Sequence, residues 1–275
     1  MGADLLDRPT ATAKLEIATD TLGWAIAEMC QDEANLSRTL YTQPCLYVVE
    51  SILVDELKSH GHQPDLVAGH SLGEYVALYA AGVFDFETGL KLVKRRAELM
   101  DSASDGMMAA IMGFDTEQLQ QHIAQTPGVV LANDNNSGQV VISGTPAAVE
   151  AVMNSVKAKR AVKLNVSGAF HSPLMQDAAI EFQKLLDAAP FTSAQVPVLS
   201  NIDPTPATDA DTLKQRLVQQ MTGSVRWREI SLQLAELGME QAIEIGPGKV
   251  LTGLIKRTAP SLALVNISTL ADIPA

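Results

Sequence analysis

The stretch Leu66-Val-Ala-Gly-His-Ser-Leu-Gly73 sets the fold class. Leu66, Val67 and Ala68 form a short apolar run between Pro64-Asp65 and Gly69, the pattern of a buried parallel strand. Helical spacing follows over 72–81 and stops at Gly82. The junction Gly69-His-Ser-Leu-Gly73 matches G-x-S-x-G, the nucleophile elbow. A strand that turns this tightly into a helix needs small flanks, so Gly69 and Gly73 are both expected to remove Cβ atoms that would collide. Ser71 is then held strained with its hydroxyl exposed, and the Leu72 amide at the helix head points where an oxyanion would form. The five-residue pattern alone also fits a turn without chemistry. The strand before it and the helix after it favour a nucleophile.

Outward from this point, the N-terminal side predicts amphipathic helices over 15–29 and 46–60, with an interruption at Thr42-Gln-Pro44. A helix is expected over 86–102, with Asp85 as its N-cap. The character then changes. Strands are expected over 107–112, 129–132, 140–143 and 161–166, helices over 116–125 and 146–159, and a turn over 133–138. This β-α-β-β-α-β order is the ferredoxin-like pattern. It predicts a small domain at 106–168 inserted into a larger α/β parallel-sheet domain built from 1–105 and 169–275. Helices over 173–189, 211–221 and 227–237, and strands over 196–200 and 241–245, complete the larger unit ahead of Gly246-Pro-Gly248. That loop is not a phosphate cradle, because no Ser or Thr follows Lys249.

Composition narrows the function. The 275 residues are 47% hydrophobic and 19% charged, a globular balance. No uncharged apolar run approaches the ~20 residues of a membrane span. Residues 1–7 lack a basic region followed by an apolar run, so no secretory leader is expected. With 20 basic and 32 acidic residues the net charge is −12, which argues against nucleic acid as a partner. Cys30 and Cys45 are too few for a disulfide framework, so a reducing compartment, the cytoplasm, is expected.

The residues around the elbow carry a more specific likeness. Gly69-His-Ser-Leu-Gly-Glu-Tyr75 resembles the serine segment of malonyl-CoA:acyl carrier protein transacylases and polyketide acyltransferase domains. Val93-Lys-Arg-Arg-Ala-Glu-Leu-Met100 resembles their arginine segment, Val166-Ser-Gly-Ala-Phe-His-Ser172 their histidine segment, and Glu244-Ile-Gly-Pro-Gly-Lys-Val-Leu251 their C-terminal signature. The likeness runs from Met1 to about Ile267. It implies a hydrolase-like α/β domain with a ferredoxin-like insert. It also implies transfer of a malonyl group from malonyl-CoA, through an acyl-serine, to the phosphopantetheine thiol of acyl carrier protein in fatty-acid biosynthesis. Ser71 is then the nucleophile and His171 the base, with the other ring nitrogen held by the carbonyl of Gln220 rather than by a carboxylate. Arg96 pairs with the malonyl carboxylate, since a guanidinium fork matches a carboxylate and lysine does not. Arg96 and Arg95 both also read as solvated surface charges, and only the family register selects Arg96. Leu72 and Phe170 resemble the malonyl-type choices at positions that vary with the acyl group. Asn133 matches an asparagine near the site, and equally reads as a turn residue. No metal or other cofactor is implied, and a monomer is expected.

The family begins with a strand and a Gly-Gln-Gly-Ser-Gln loop that supplies a second oxyanion amide, whereas Met1-Gly-Ala-Asp-Leu5 resembles the segment just after it. The expectation is a sheet short of one strand and a site short of one donor, worth ~10²–10³ in rate. Two alternatives therefore stand beside the transferase: a serine esterase, and a non-catalytic protein that binds carrier protein or coenzyme A. Acyl carrier proteins are acidic, so local basic patches must override net repulsion. Lys157, Lys159, Arg160 and Lys163, and Lys249, Lys256 and Arg257, are the candidates.

Overall fold

A computed structural model describes residues 1–6, 8–103, 105–166 and 168–274; Ser167, within the histidine segment, lies outside them. The chain opens with α1 (Ala3–Leu6), α2 (Pro9–Leu22), α3 (Ile26–Met29) and α4 (Glu33–Leu36). The helix expected over 15–29 is thus two pieces. Proline at the first position starts α2 at Pro9, and Gly23, left-handed at φ 84°, ends it. The next helix, α5 (Thr39–Ser59), starts seven residues before the expected 46 and runs through Pro44. Pro44 lies in the second turn, where its missing N–H costs one helical bond, and its ring is buried against the core.

Strand β1 (Val67–Ala68) leads through the elbow into α6 (Gly73–Ala80), and α7 (Phe86–Ser102) follows. The Asp85 side chain caps α7 by accepting from the Thr88 N–H at 2.7 Å. Along α7, Gly89, Leu92, Val93, Arg96, Leu99 and Met100 share the buried stripe at helical spacing.

Next come β2 (Met107–Phe114), α8 (Thr116–Gln125), β3 (Val129–Asn136), β4 (Gln139–Gly144), α9 (Pro146–Ser155) and β5 (Ala158–Lys163). They form an antiparallel sheet in the order β3-β4-β2-β5. Period-2 alternation ties this sheet to its surroundings. Met107, Ala109 and Ile111 of β2 pack under α8 and α9 with Val140 and Ile142, while Met108, Ala110 and Val141 turn to the main core. Two expectations are corrected here. Residues 133–136 are strand rather than turn, kept in β3 by two register shifts against β4. The helix expected over 146–159 ends at Ser155, and the strand expected over 161–166 runs instead from Ala158 to Lys163, because pairing of β5 with β2 overrides the helix propensity of Lys157, Ala158 and Lys159.

The rest comprises α10 (Gln176–Ala188), β6 (Val198–Leu199), α11 (Ala210–Gln220), α12 (Trp227–Glu236), β7 (Gln241–Ile245), α13 (Val250–Thr258) and β8 (Ala263–Ile267). Helix α13 and strand β8 add to the elements that the sequence predicts. The short parallel strands form two pairs, β1 with β6 and β7 with β8. Residues of β1 and β7 line a shared cavity of about 880 Å³, together with Glu50, His70, Gly246 and Pro247. Glu244 caps α13 by accepting from the N–H groups of Leu251 and Thr252 at 2.8 and 2.7 Å. Among the described residues, no helix is long and apolar enough to cross a membrane.

Candidate active site

Parallel pairing explains where the site lies. With Val67 opposite Val198 and Ala68 opposite Leu199, β1 and β6 end side by side, and ligands bind at the carboxyl ends of such strands. β1 delivers Ser71 and β6 delivers Asn201. The turn at Ser71 is strained, with φ 52°. A Cβ on Gly69 would sit 1.9 Å from the Gly73 carbonyl group, so glycine is obligatory there. A Cβ on Gly73 would meet nothing within 4 Å, so the expectation that both flanking glycines avoid a collision holds for Gly69 alone.

Ser71 Oγ lies 2.8 Å from His171 Nε2. His171 also has a left-handed backbone, at φ 56°, in a turn pinned by Ser172, whose hydroxyl donates to the Ala169 carbonyl at 2.7 Å. The other ring nitrogen, Nδ1, lies 2.9 Å from the Gln220 carbonyl and 3.2 Å from that of Gly223. Gln220 is the last residue of α11, so its carbonyl is one that the helix leaves unpaired. The negative end of the α11 dipole therefore faces the imidazole. Burial, and then the Arg96 guanidinium, hold His171 far below the ordinary histidine range, at about 3, against the pull of the Gln220 carbonyl. The ring is thus neutral at physiological pH, as a base must be.

Arg96 is buried at 1% exposure, whereas Arg95 faces outward and pairs with Glu98 at 3.1 Å. The Arg96 guanidinium donates to Ser71 Oγ at 2.9 Å, to Gln220 Oε1 at 3.2 Å and to Gln43 Oε1, and lies over the Tyr75 ring. Its Nε–H is buried with no partner among the described residues. The Leu72 N–H, at the head of α6, likewise takes no acceptor among the described residues. Leu72 and Phe170 are buried neighbours of the two reacting side chains.

Ser71, His171, Arg96 and Gln220 thus converge. Asn133 does not hydrogen-bond to any of them, and its buried Oδ1 has no partner among the described residues. Sequence reasoning missed Gln43, Glu74, Asn135 and Asn201. Asn201 Oδ1 accepts from the Ser71 N–H at 2.7 Å, and Asn135 Oδ1 lies 2.9 Å from His70 Nε2. Lone amides, whether in a helix (Gln43), a strand (Asn135) or a loop (Asn201), give no periodic signal. Glu74 does give one: a carboxyl inside the apolar run of a helix. The large cavity beside β1 and β7 reaches Gly69 and Gly73 but is lined by neither Ser71, His171 nor Arg96.

Residues 1–274 match the family model described as an acyl transferase domain. A malonyl CoA-acyl carrier protein transacylase of Synechocystis sp. is 60% identical over 274 residues, covering 99% of this chain and 94% of that protein. The crystal structure of the Synechocystis sp. malonyl-CoA:ACP transacylase superposes with a TM-score of 0.97 at 59% identity, over 99% of this chain and 94% of that one. A malonyl-transacylase solved in complex with its type II polyketide acyl-carrier protein matches with a TM-score of 0.94 at 36% identity, over 99% of this chain and 93% of that one.

Proposed function

The chain belongs to the acyl transferase domain family, and from that premise we propose a two-step account of its chemistry on these residues. It is a malonyl-CoA:acyl carrier protein transacylase, an acyltransferase of fatty-acid or polyketide synthesis. In the first step Ser71 Oγ attacks the thioester carbonyl of malonyl-CoA while His171 Nε2 takes its proton. The Leu72 N–H faces the oxyanion at the positive end of α6. Collapse breaks the C–S bond, and the leaving coenzyme A thiolate takes the proton back from His171. In the second step the phosphopantetheine thiol of the carrier protein gives its proton to His171 and attacks the acyl-serine. The C–O bond breaks and the proton returns to Ser71.

Arg96 binds the free malonyl carboxylate through its unpartnered Nε–H and the adjoining NH2 group. That pairing offsets the positive charge that, after burial, is the second cause of the lowered His171 pKa, so the acyl-enzyme has a stronger base than the free enzyme. Leu72 and Phe170 shape the acyl pocket. Asn133 is a further candidate at its edge. Residues 106–168 act as a small domain on the larger one, and the exposed cations Lys157, Lys159, Arg160 and Lys163 on and beside β5 suit an acidic carrier protein. Two free, buried cysteines suit the cytoplasm.

The observation that carries this reading is the single contact point at Ser71 Oγ, where a neutral base at 2.8 Å and a buried cation at 2.9 Å meet on one hydroxyl. The test is intact mass after incubation with malonyl-CoA. One malonyl group should appear, persist, and leave when holo carrier protein is added; Ser71→Ala should gain none. Rapid loss to water would make the protein an esterase, and no acylation would make it a binder.

A further inference from the structure

Glu74 is the third residue after Ser71, in the first turn of α6, and is 1% exposed. A carboxyl this deep is costly unless its oxygens are hydrogen-bonded. The transfer chemistry gives it no part, and it bonds to neither Ser71 Oγ nor His171. What it does touch are the two residues that hold the elbow. Its Oε2 accepts from the Gln220 side-chain Nε2 at 2.7 Å and from the Asn201 backbone N–H at 3.1 Å.

Those two residues fix Ser71 from both sides. Asn201 Oδ1 accepts from the Ser71 N–H at 2.7 Å, and its Nδ2 donates to the Gly69 carbonyl. Gln220 Nε2 donates to the Ser71 carbonyl at 2.9 Å. The Gln220 backbone carbonyl takes His171 Nδ1–H at 2.9 Å, and its Oε1 takes Arg96 at 3.2 Å.

We propose that Glu74 is a positioning residue: one carboxyl oxygen holds the side-chain amide of Gln220 and the backbone N–H of Asn201, the two residues that pin the strained nucleophile, and through Gln220 it steadies the helix end whose carbonyl fixes the tautomer of the base. This rests on the reading of Ser71 and His171 as nucleophile and base. The physical reason is polarity. A glutamine side chain can present either its oxygen or its NH2 group to a neighbour. An acceptor at Glu74 Oε2 admits only the NH2 group, which turns Gln220 Oε1 toward Arg96 and leaves Nε2 shared between Glu74 and the Ser71 carbonyl. A left-handed serine persists only when its surroundings over-determine it. The Ser71 carbonyl and Arg96 ask for the same orientation of the Gln220 amide, and Glu74 anchors it: without Glu74 the Gln220 NH2 group keeps only the Ser71 carbonyl and the Asn201 N–H loses this acceptor, so the elbow and the helix end carrying the Gln220 carbonyl are held less firmly. Burial pushes the Glu74 carboxyl up while Gln220, Asn201, Ser200 and Arg96 pull it down. Oε2 remains an acceptor in either protonation state.

The experiment compares Glu74→Gln, Glu74→Asp and Glu74→Ala in the full chain, by three readouts. These are the His171 tautomer by imidazole ¹⁵N NMR, the rate of Ser71 modification by phenylmethanesulfonyl fluoride, and kcat and KM with malonyl-CoA. Glu74→Gln keeps an oxygen in the Oε2 position, so it should retain the Nδ1–H tautomer and stay within ~3-fold of wild type in both rates. Glu74→Asp withdraws the acceptor and should lose ~10-fold, and Glu74→Ala ~10²-fold, in kcat and in the modification rate, with KM nearly unchanged and mixed tautomers. Wild-type tautomer and rates in Glu74→Ala overturn the proposal. So does activity retained in Asp and lost in Gln, which would make charge the operative property. That contrast decides the matter even if the Ala variant does not fold. If malonyl-CoA acylates none of the proteins while tautomer and modification rate fall as stated, the substrate reading fails and the positioning role stands.

Discussion

Ser71 and His171 are the two non-glycine residues with left-handed backbones among the described residues, at φ 52° and 56°, and their side chains meet at 2.8 Å. Each such conformation costs roughly 1–3 kcal/mol and persists only where the surroundings impose it. The strain therefore sits on the two groups that react, and Asn201, Gln220 and Ser172 hold it in place.

The elbow's glycines should separate sharply on substitution. Gly69→Ala forces a Cβ into the backbone at Gly73, and should destroy the turn along with Ser71 acylation. Gly73→Ala meets open space at the first position of α6, and should be neutral or stabilising by about 0.4–1 kcal/mol. Thermal unfolding and malonylation of the two variants check this. Equal damage from both would mean that the turn needs glycine at 73 for a reason other than space.

Apolar spacing and turn residues are enough to locate the strand–elbow–helix at 66–81 and the capped helix at 86–102. The buried side of α7 is legible in the same way. Spacing alone does not choose between the two arginines there: Arg96 lies three to four residues from Leu92, Val93, Leu99 and Met100, but Arg95 is also three from Leu92 and four from Leu99, and it is the packing that buries Arg96 and leaves Arg95 outside. The start of strand β5 and the tail of β3 escape a local reading: pairing of β5 with the distant β2 overrides composition at the first, and turn-type residues Asn133 to Asn136 are kept in strand by irregular pairing with β4 at the second. The amides at 43 and 201 are not legible: their role comes from chain crossings more than fifty residues apart in sequence.

Arg96 sets acyl selectivity. Acetyl-CoA lacks the carboxylate, so Arg96→Ala should weaken malonyl-CoA use ~10- to 150-fold relative to acetyl-CoA. Arg96→Lys should recover only part, since it keeps the charge but not the fork. Arg95→Ala is the control, because Arg95 lies on the outer face with Glu98. The measurement is the ratio of kcat/KM for the two thioesters. A ratio untouched in Arg96→Ala would place the carboxylate elsewhere.

Glu50 makes the fold sensitive to base. Burial, and then Glu244, push its carboxyl up from 4.5 to about 8. Between those values the folded chain keeps a proton that the unfolded chain has lost, so its contribution to stability falls as pH rises through that window. Glu50→Gln cannot ionise. Its gain in Tm over wild type should therefore grow from about pH 5 to about pH 8. A gain independent of pH would show that Glu50 titrates normally in the cavity.

His171 has the opposite sign. Its folded pKa, about 3, lies below the ordinary 6.5, with burial the first cause and Arg96 the second. The unfolded chain takes a proton that the folded chain refuses, so the stability from a neutral His171 is complete above pH 6.5 and is lost as pH falls from there toward 3. For reactivity, the base stays available throughout that window. The rate of Ser71 modification by phenylmethanesulfonyl fluoride, a probe with no charge of its own, should lack a histidine-like step near pH 6.5. Tryptophan fluorescence at each pH separates lost folding from lost reactivity. Removing the cation relieves the second of the causes that lower the His171 pKa, after burial and ahead of His70, so Arg96→Ala should move the acid limb to higher pH while Arg95→Ala leaves it in place. A wild-type limb centred near 6.5 would show a ring open to water, and an unmoved limb in Arg96→Ala would show that the Arg96 charge is not one of its causes.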